Sequence, residues 1–206
     1  MRVKSAGMIP SETGVRVAME ILRVVLAWGA FAAFHSLTVS EGYERLARRV
    51  MGERKFDAFH RLLFTTYSFA ATAATLLYVH SLPDAPLYRA EGWLRIALHA
   101  VQASGAALLL WTPWNLREFI GLRPPQRQLH TGKAYGIVRH PLYLGFSVLL
   151  AFQPVQTRNS FATTASIVAY FYLATFLEER RMERAFGEAY KEYRKRVPRF
   201  FPLPRP

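Results

Sequence analysis

At 206 residues the chain is one domain on length, and it is 51% hydrophobic and 14% aromatic yet carries a net charge of +13. Its charges are segregated, with Lys and Arg gathered between long uncharged stretches. This fits a polytopic membrane protein with basic loops and argues against a nucleic-acid partner, for which no motif is present. The absence of cysteine excludes disulfides, thiolate metal sites, iron–sulfur clusters and a cysteine nucleophile.

The start, Met1 to Gly14, contains charges, Pro10 and Gly14, and the apolar run behind it is long enough to span, so no cleavable signal peptide is expected. A first span is predicted from Val15 to Val39. Glu20 and Arg23 lie one helical turn apart near its beginning, where they either pair or leave Arg23 to snorkel outward. The polar, basic stretch Ser40 to Asp57 has helical spacing and is expected on the membrane surface. A second span follows from Phe59 to Leu82, then a turn at Pro83, Asp84 and Pro86. The third span, Trp93 to Trp111, is broken by Pro113. Tyr88, Trp93, Trp111 and Trp114 read as interfacial belt residues.

A polar segment, Asn115 to Arg139, leads to a short fourth span from Pro141 to Val155. Proline suits the first turn of a helix, where its missing N–H removes no bond. After a turn at Gln156 to Arg158, a fifth span from Asn159 to Leu177 comes back, so the last two spans form a tight hairpin. Its helical pattern runs on to Val197, with Met182, Phe186, Tyr190 and Tyr193 three to four residues apart and a possible break at Gly187. The end of the chain is expected to be irregular. There is no internal repeat. With five spans, twenty of the 27 Lys and Arg fall on one side, which puts the C-terminus in the cytoplasm and the N-terminus outside.

Ionisable groups at membrane depth are costly and mark working sites. Two such clusters lie at the same ends of the last two spans: Arg139, His140 and Tyr143, and then Glu178-Glu179-Arg180-Arg181. The start of the fourth span offers free N–H groups and positive dipole character beside Arg139, which suits a carboxylate. Antiparallel return of the fifth span brings Glu178 and Glu179 to His140. Adjacent helical residues point about 100° apart, so one of the two glutamates is expected to face the site. Such a corner provides for an anion, an ammonium or ribose hydroxyls, and an aromatic base. Taken separately, Arg139 is also an ordinary positive-inside anchor and the Glu-Glu-Arg-Arg run an ordinary solvated helix end.

The sequence Arg139-His140-Pro141-Leu142-Tyr143-Leu144-Gly145 is followed by Glu178-Glu179 and by Phe186-Gly187-Glu188-Ala189-Tyr190 with Tyr193 and Val197-Pro198. Together these resemble the integral-membrane methyltransferases that include isoprenylcysteine carboxyl methyltransferase. Phe34-His35-Ser36, His60-Arg61 and Gly121-Leu122-Arg123 resemble its NnrU-like branch, which includes methanethiol S-methyltransferases. The spans make an all-α fold of about five transmembrane helices, for which the lack of targeting segments favours a bacterial inner membrane; on the resemblance, residues 1–126 form the scaffold and acceptor side and residues 127–198 the cofactor region. The resemblance implies S-adenosylmethionine, with contacts on Gln128, Leu129, His130, Tyr135, His140, Pro141, Leu142, Tyr143, Glu178 and Glu179, and no metal.

Methyl transfer to a small or lipophilic acceptor, a thiol by preference, is then expected at the cytoplasmic face, with membrane lipid as the surroundings. His140, Arg139 and Glu178 are the catalytic set, Arg139 holding either the loop or a cofactor carboxylate. Either His130 or His35 is placed to take a thiol proton, and His35 and His60 are candidates on the acceptor side. The arginine that holds a prenylcysteine carboxylate in the prenyl enzymes is replaced by Ala174, which argues against that substrate. The alternatives are a haem-dependent isomerase of the NnrU-like type, with His35, His60 and His130 converging, and a non-catalytic membrane protein of denitrification or assembly.

Overall fold

In a computed structural model, which describes residues 10–113 and 128–201, the chain is a set of long helices with one short two-stranded ribbon. The order is α1 (Pro10–Thr38), α2 (Glu41–Met51), α3 (Glu53–Ser81), β1 (Pro86–Arg89), α4 (Gly92–Trp111), a 3-10 turn (Lys133–Gly136), α5 (Pro141–Ala151), β2 (Val155–Thr157), α6 (Arg158–Phe186) and α7 (Glu188–Arg196). Trp114, Gly121 to Arg123, the side chain of Arg61 and the chain end beyond Phe201 lie outside the described residues.

Four helices, α1, α3, α4 and α6, are long and apolar enough to cross a membrane, and at most 22% of any of their apolar windows is buried inside the protein. Leu22, Leu26, Phe69, Leu77, Ile96, Leu110, Phe161 and Leu173 all face outward. An apolar surface of that extent is tolerable only against lipid, and the chain is a multi-pass integral membrane protein. Trp93 is 79% exposed at the start of α4, and Trp111 and Tyr88 are exposed too, as a belt requires.

The predicted fourth span is shorter than expected. It is an apolar helix of 11 residues that ends at Ala151 rather than Val155. Residues 152–154 leave the helix and lead into β2, which pairs antiparallel with β1. Both strands fall where turns were predicted, because three or four residues are too few for alternation to be read. Around the ribbon the loop before α4 is bound to the start of α6. The Asn159 N–H donates to Asp84 Oδ1 at 3.0 Å, and Ala90 N–H to Pro154 O at 2.7 Å. Thr157 and Ser160 form a reciprocal capping box that starts α6 sharply. Glu20 pairs here with Arg16 at 3.5 Å and with Arg158 of α6 at 3.4 Å. Arg23, one turn away, is exposed.

Against α6 and α3, α1 buries Val24 and Trp28 on Val79 and Ala162, and the Trp28 indole N–H donates to Thr163 at 3.1 Å. α4 lies against α5 at van der Waals distance of the backbones. A Cβ on Gly105 would sit 2.9 Å from the Gly145 carbonyl, and one on Gly145 would sit 2.7 Å from the Leu109 side chain. Small residues at such a crossing are how helices approach closely in lipid, where dispersion rather than water exclusion drives them together. This gives the glycine of the 139–145 motif a packing role. A Gly105→Val substitution is expected to cost about 1–3 kcal/mol through overpacking and to lower the thermal unfolding midpoint in detergent. Gly29→Ala, which meets nothing within 4 Å, should leave that midpoint unchanged or slightly raised.

Candidate functional site

At the end of the bundle opposite the ribbon, α6 arrives beside the start of α5, as the hairpin predicts. Pro141 occupies the first turn of α5, so His140 becomes its cap residue and is turned inward against α6. Five hydrogen bonds then converge on the Glu179 carboxylate. Oε1 accepts from Arg139 Nε (3.0 Å) and Nη2 (2.8 Å), from His140 Nε2 (3.1 Å) and from Arg199 Nε (3.0 Å). Oε2 accepts from Arg199 Nη2 at 2.9 Å. The remaining Arg139 nitrogen donates to the carbonyls of Arg194 and Val197 at 3.2 and 2.6 Å. Backbone bonds from Arg139 N–H to Pro198 O and from His140 N–H to Arg199 O complete the seam. Arg139 therefore holds the chain after α7 and has no fork left for a cofactor carboxylate.

Both glutamates reach His140, one on each ring nitrogen. Glu178 Oε2 stands 3.5 Å from Nδ1. Only Glu178 also borders open space: 42% of its side-chain surface is exposed, against 5% for Glu179. Glu178 therefore faces the open space, with Glu179 locked behind it. Burial alone would push the His140 imidazole down. The hydrogen bonds and charges of Glu178 and Glu179 outweigh it and hold the group above its usual value, so that it tends toward imidazolium.

A hollow of about 420 Å³, its open mouth included, lies beside this pair. Its walls are Gln128, Leu129, His130, Tyr135, Arg139, His140, Glu178, Met182, Tyr190 and Tyr193. Gly187, at φ +56°, breaks α6 from α7 and turns Tyr190 and Tyr193 under the hollow, where they pack with Leu129, Met182 and Phe186. The Tyr193 hydroxyl donates to Tyr135 O at 2.7 Å, which fixes the opposite wall. Burial raises both phenols, Tyr190 to about 12 with Glu179 adding to it, so they remain neutral hydrogen-bonding groups. Burial, with the Glu178 charge, also raises Tyr135. The His130 and Tyr135 rings stack with centroids 6.2 Å apart.

Of the residues predicted to contact a cofactor, Gln128, Leu129, His130, Tyr135, His140 and Glu178 line the hollow. Pro141 and Leu142 do not, Tyr143 stands one layer back with its ring stacked on His140 at 5.7 Å, and Glu179 lies beneath. Met182, Tyr190 and Tyr193 were not among them. The i+4 spacing of Met182 from Glu178 is the signal that could have found the first. His35 and His60 are elsewhere. Both flank Phe64, with ring centroids at 5.0 and 6.4 Å, and His35 Nδ1 meets Ser68 Oγ at 3.3 Å. The structure brings neither to His130. Among the described residues no three His, Cys, Asp or Glu side chains gather as a metal site would need.

Several curated proteins match the chain. Methanethiol S-methyltransferase 2 of Bradyrhizobium diazoefficiens is 31% identical over 129 residues, 57% of this chain and 50% of the relative. The chain is similar to methanethiol S-methyltransferases. The enzyme of that name from Mycobacterium tuberculosis is 27% identical over 191 residues, 85% of this chain and 75% of the relative. Methanethiol S-methyltransferase 1 of B. diazoefficiens is 34% identical over 83 residues, 40% of this chain and 29% of the relative. The chain thus spans half or less of the two Bradyrhizobium proteins. No family model and no solved structure matches it. The resemblance carried by the 139–145 motif, the paired glutamates and the 186–198 segment is borne out.

Removing the Glu179 charge leaves Arg139, His140 and Arg199 as unbalanced cations in a buried place. Glu179→Gln is expected to cost about 3–5 kcal/mol, seen as faster hydrogen exchange across α7 and the segment to Phe201. The raised His140 pKa has a definite sign. Its stabilisation is complete below the ordinary value of 6.5 and is lost as pH rises through the higher folded value. The thermal midpoint should therefore fall over that window, and His140→Gln should flatten the fall.

Proposed function

We propose that this chain is an S-adenosylmethionine-dependent methyltransferase of the bacterial inner membrane that methylates a small or lipophilic thiol at the cytoplasmic face. The observation that carries this reading is the shared wall of one hollow, where His140 stands 3.5 Å from Glu178 and neutral phenols stand beside them. The names of the relatives support the reaction class and the thiol acceptor.

The donor set fits the cofactor. Glu178 offers an exposed carboxylate to an ammonium or to ribose hydroxyls, the His130–Tyr135 pair a stacking face for a purine, and buried aromatic rings suit a sulfonium cation. When bound, S-adenosylmethionine supplies an electrophilic methyl group. The protein's part is alignment and exclusion of water. Glu178 anchors, His140 orients Glu178, and Tyr190 and Tyr193 close the floor. His130, exposed on the same wall, takes the proton of a thiol; His35, on the far side of Tyr143 and Tyr170, does not line the hollow.

Five crossings, with the N-terminus outside, agree with the excess of basic residues on the site side. α6 rises about 32 Å between residues 158 and 179 at roughly 1.5 Å per residue. The segment from His140 to Arg158 connects the same two levels, with α5 for the first part and the turn at 152–154 and β2 for the rest.

Calorimetric titration of the detergent-solubilised protein with S-adenosylhomocysteine should show binding. Glu178→Ala should weaken it by about tenfold or more, the loss of one charge-assisted contact, while Glu91→Ala at the far end should not change it. A wild-type protein that binds nothing would sink the reading, and a Soret band in purified material would favour the haem alternative.

A further inference from the structure

Arg199 does not line the hollow, yet it grips the residue that aims His140. Its Nε and Nη2 take both oxygens of Glu179, at 3.0 and 2.9 Å, a fork-to-fork pairing that fixes the plane of the carboxylate. Arg139, by contrast, directs both of its nitrogens at Oε1 alone. Among the described residues Arg199 supplies the hydrogen bond to Oε2. Without it the carboxylate is free to swivel about its broad, two-fold terminal torsion while keeping Arg139. Oε1 would then no longer be held 3.1 Å from His140 Nε2, nor the opposite nitrogen toward Glu178.

Arg199 is itself held from two other directions. Its guanidinium lies 4.1 Å over the Phe176 ring on α6, and its carbonyl accepts the His140 backbone N–H at 3.3 Å. The next residue, Phe200, sets its ring 5.8 Å from the His140 imidazole.

We propose that Arg199 is a positioning residue of the site, which acts through the Glu179 carboxylate to orient His140, and that the segment Val197–Phe201 is thereby part of the site. The effect on ligand affinity rests on the reading of the hollow as a cofactor site; the effect on His140 does not. The groups that face the imidazole are Glu178 and Glu179 from α6, Tyr143 from α5 and Phe200 from the tail, with Arg139 beside it and Arg199 opposite Glu179.

The test compares wild type, Arg199→Gln and Arg199→Lys in three measurements: S-adenosylhomocysteine titration, NMR titration of the His140 ring (assigned with His140→Gln), and thermal midpoint. Arg199→Gln should lose about tenfold in affinity, the worth of one charge-assisted bond. Its His140 should titrate at lower pH, because a swivelled Glu179 carboxylate no longer holds the hydrogen bond that favours the imidazolium. An upward shift, the bare loss of a nearby cation, would show that the carboxylate had stayed in place and would overturn the proposal. Arg199→Lys should restore the titration but only part of the affinity, since one ammonium does not reproduce the planar fork. If Arg199→Gln lowers the thermal midpoint while affinity and the His140 titration stay as in wild type, Arg199 is only a tail anchor and the proposal falls. Should the wild type bind no ligand, the cofactor reading fails by itself, and the shift of the His140 titration still decides whether Arg199 positions it.

Discussion

One carboxylate ties together three parts of the chain that are far apart in sequence. Glu179 comes from a long membrane helix, Arg139 and His140 from the loop before a short one, and Arg199 from the segment after the last helix. A buried charge with a single partner is costly. Here the charge is divided among two guanidinium forks and an imidazole, and every polar hydrogen aimed at it has a defined place. Because Arg139 spends its remaining nitrogen on backbone carbonyls of the tail, the same network that neutralises Glu179 also sets the floor of the hollow.

The membrane surroundings explain why such a network stands at the end of the bundle and not in its middle. Between the ribbon and the site the contacts are apolar or uncharged: Trp28 on Ala162 and Val79, glycine against glycine at the crossing of α4 and α5, hydroxyls returned to their own helices, and a few neutral hydrogen bonds between helices such as Trp28 to Thr163. Charges are confined to the two ends, with Glu20, Arg16 and Arg158 at one and the Glu179 network at the other. The distribution follows from the cost of polar groups in hydrocarbon.

The helices were largely legible in the sequence because hydropathy over some twenty residues is a strong signal. Each of α1, α3, α4 and α6 meets a predicted limit to within one residue at one end, while α1 and α3 begin earlier and α6 runs further because their polar turns carry no hydropathy signal. The hairpin was legible too, since a proline after a histidine and a pair of acids thirty-odd residues later can meet only if the chain turns back. The ribbon was not legible, since three or four residues carry no readable alternation; the end of α5 was marked by Gln153 and Pro154, which the apolar Phe152 and Val155 around them obscured. At the site, hydropathy and spacing placed His140 and the glutamates together but gave no means to divide the work between Glu178 and Glu179. That division depends on which acid meets Arg199, a partner twenty residues further along that no periodicity links to it. The same limit hid Tyr190 and Tyr193, which reach the hollow only because Gly187 reverses the chain at a positive φ.

The ribbon at the opposite end has a mechanical consequence. It clamps the loop before α4 to the start of α6 by paired strands and by the bonds of Asp84 and Asn159, so those ends behave as a fulcrum. The Glu179 network closes the other end of the α5–α6 hairpin, so tilting about the fulcrum is resisted where its lever arm is longest, and the hairpin is braced at both extremities.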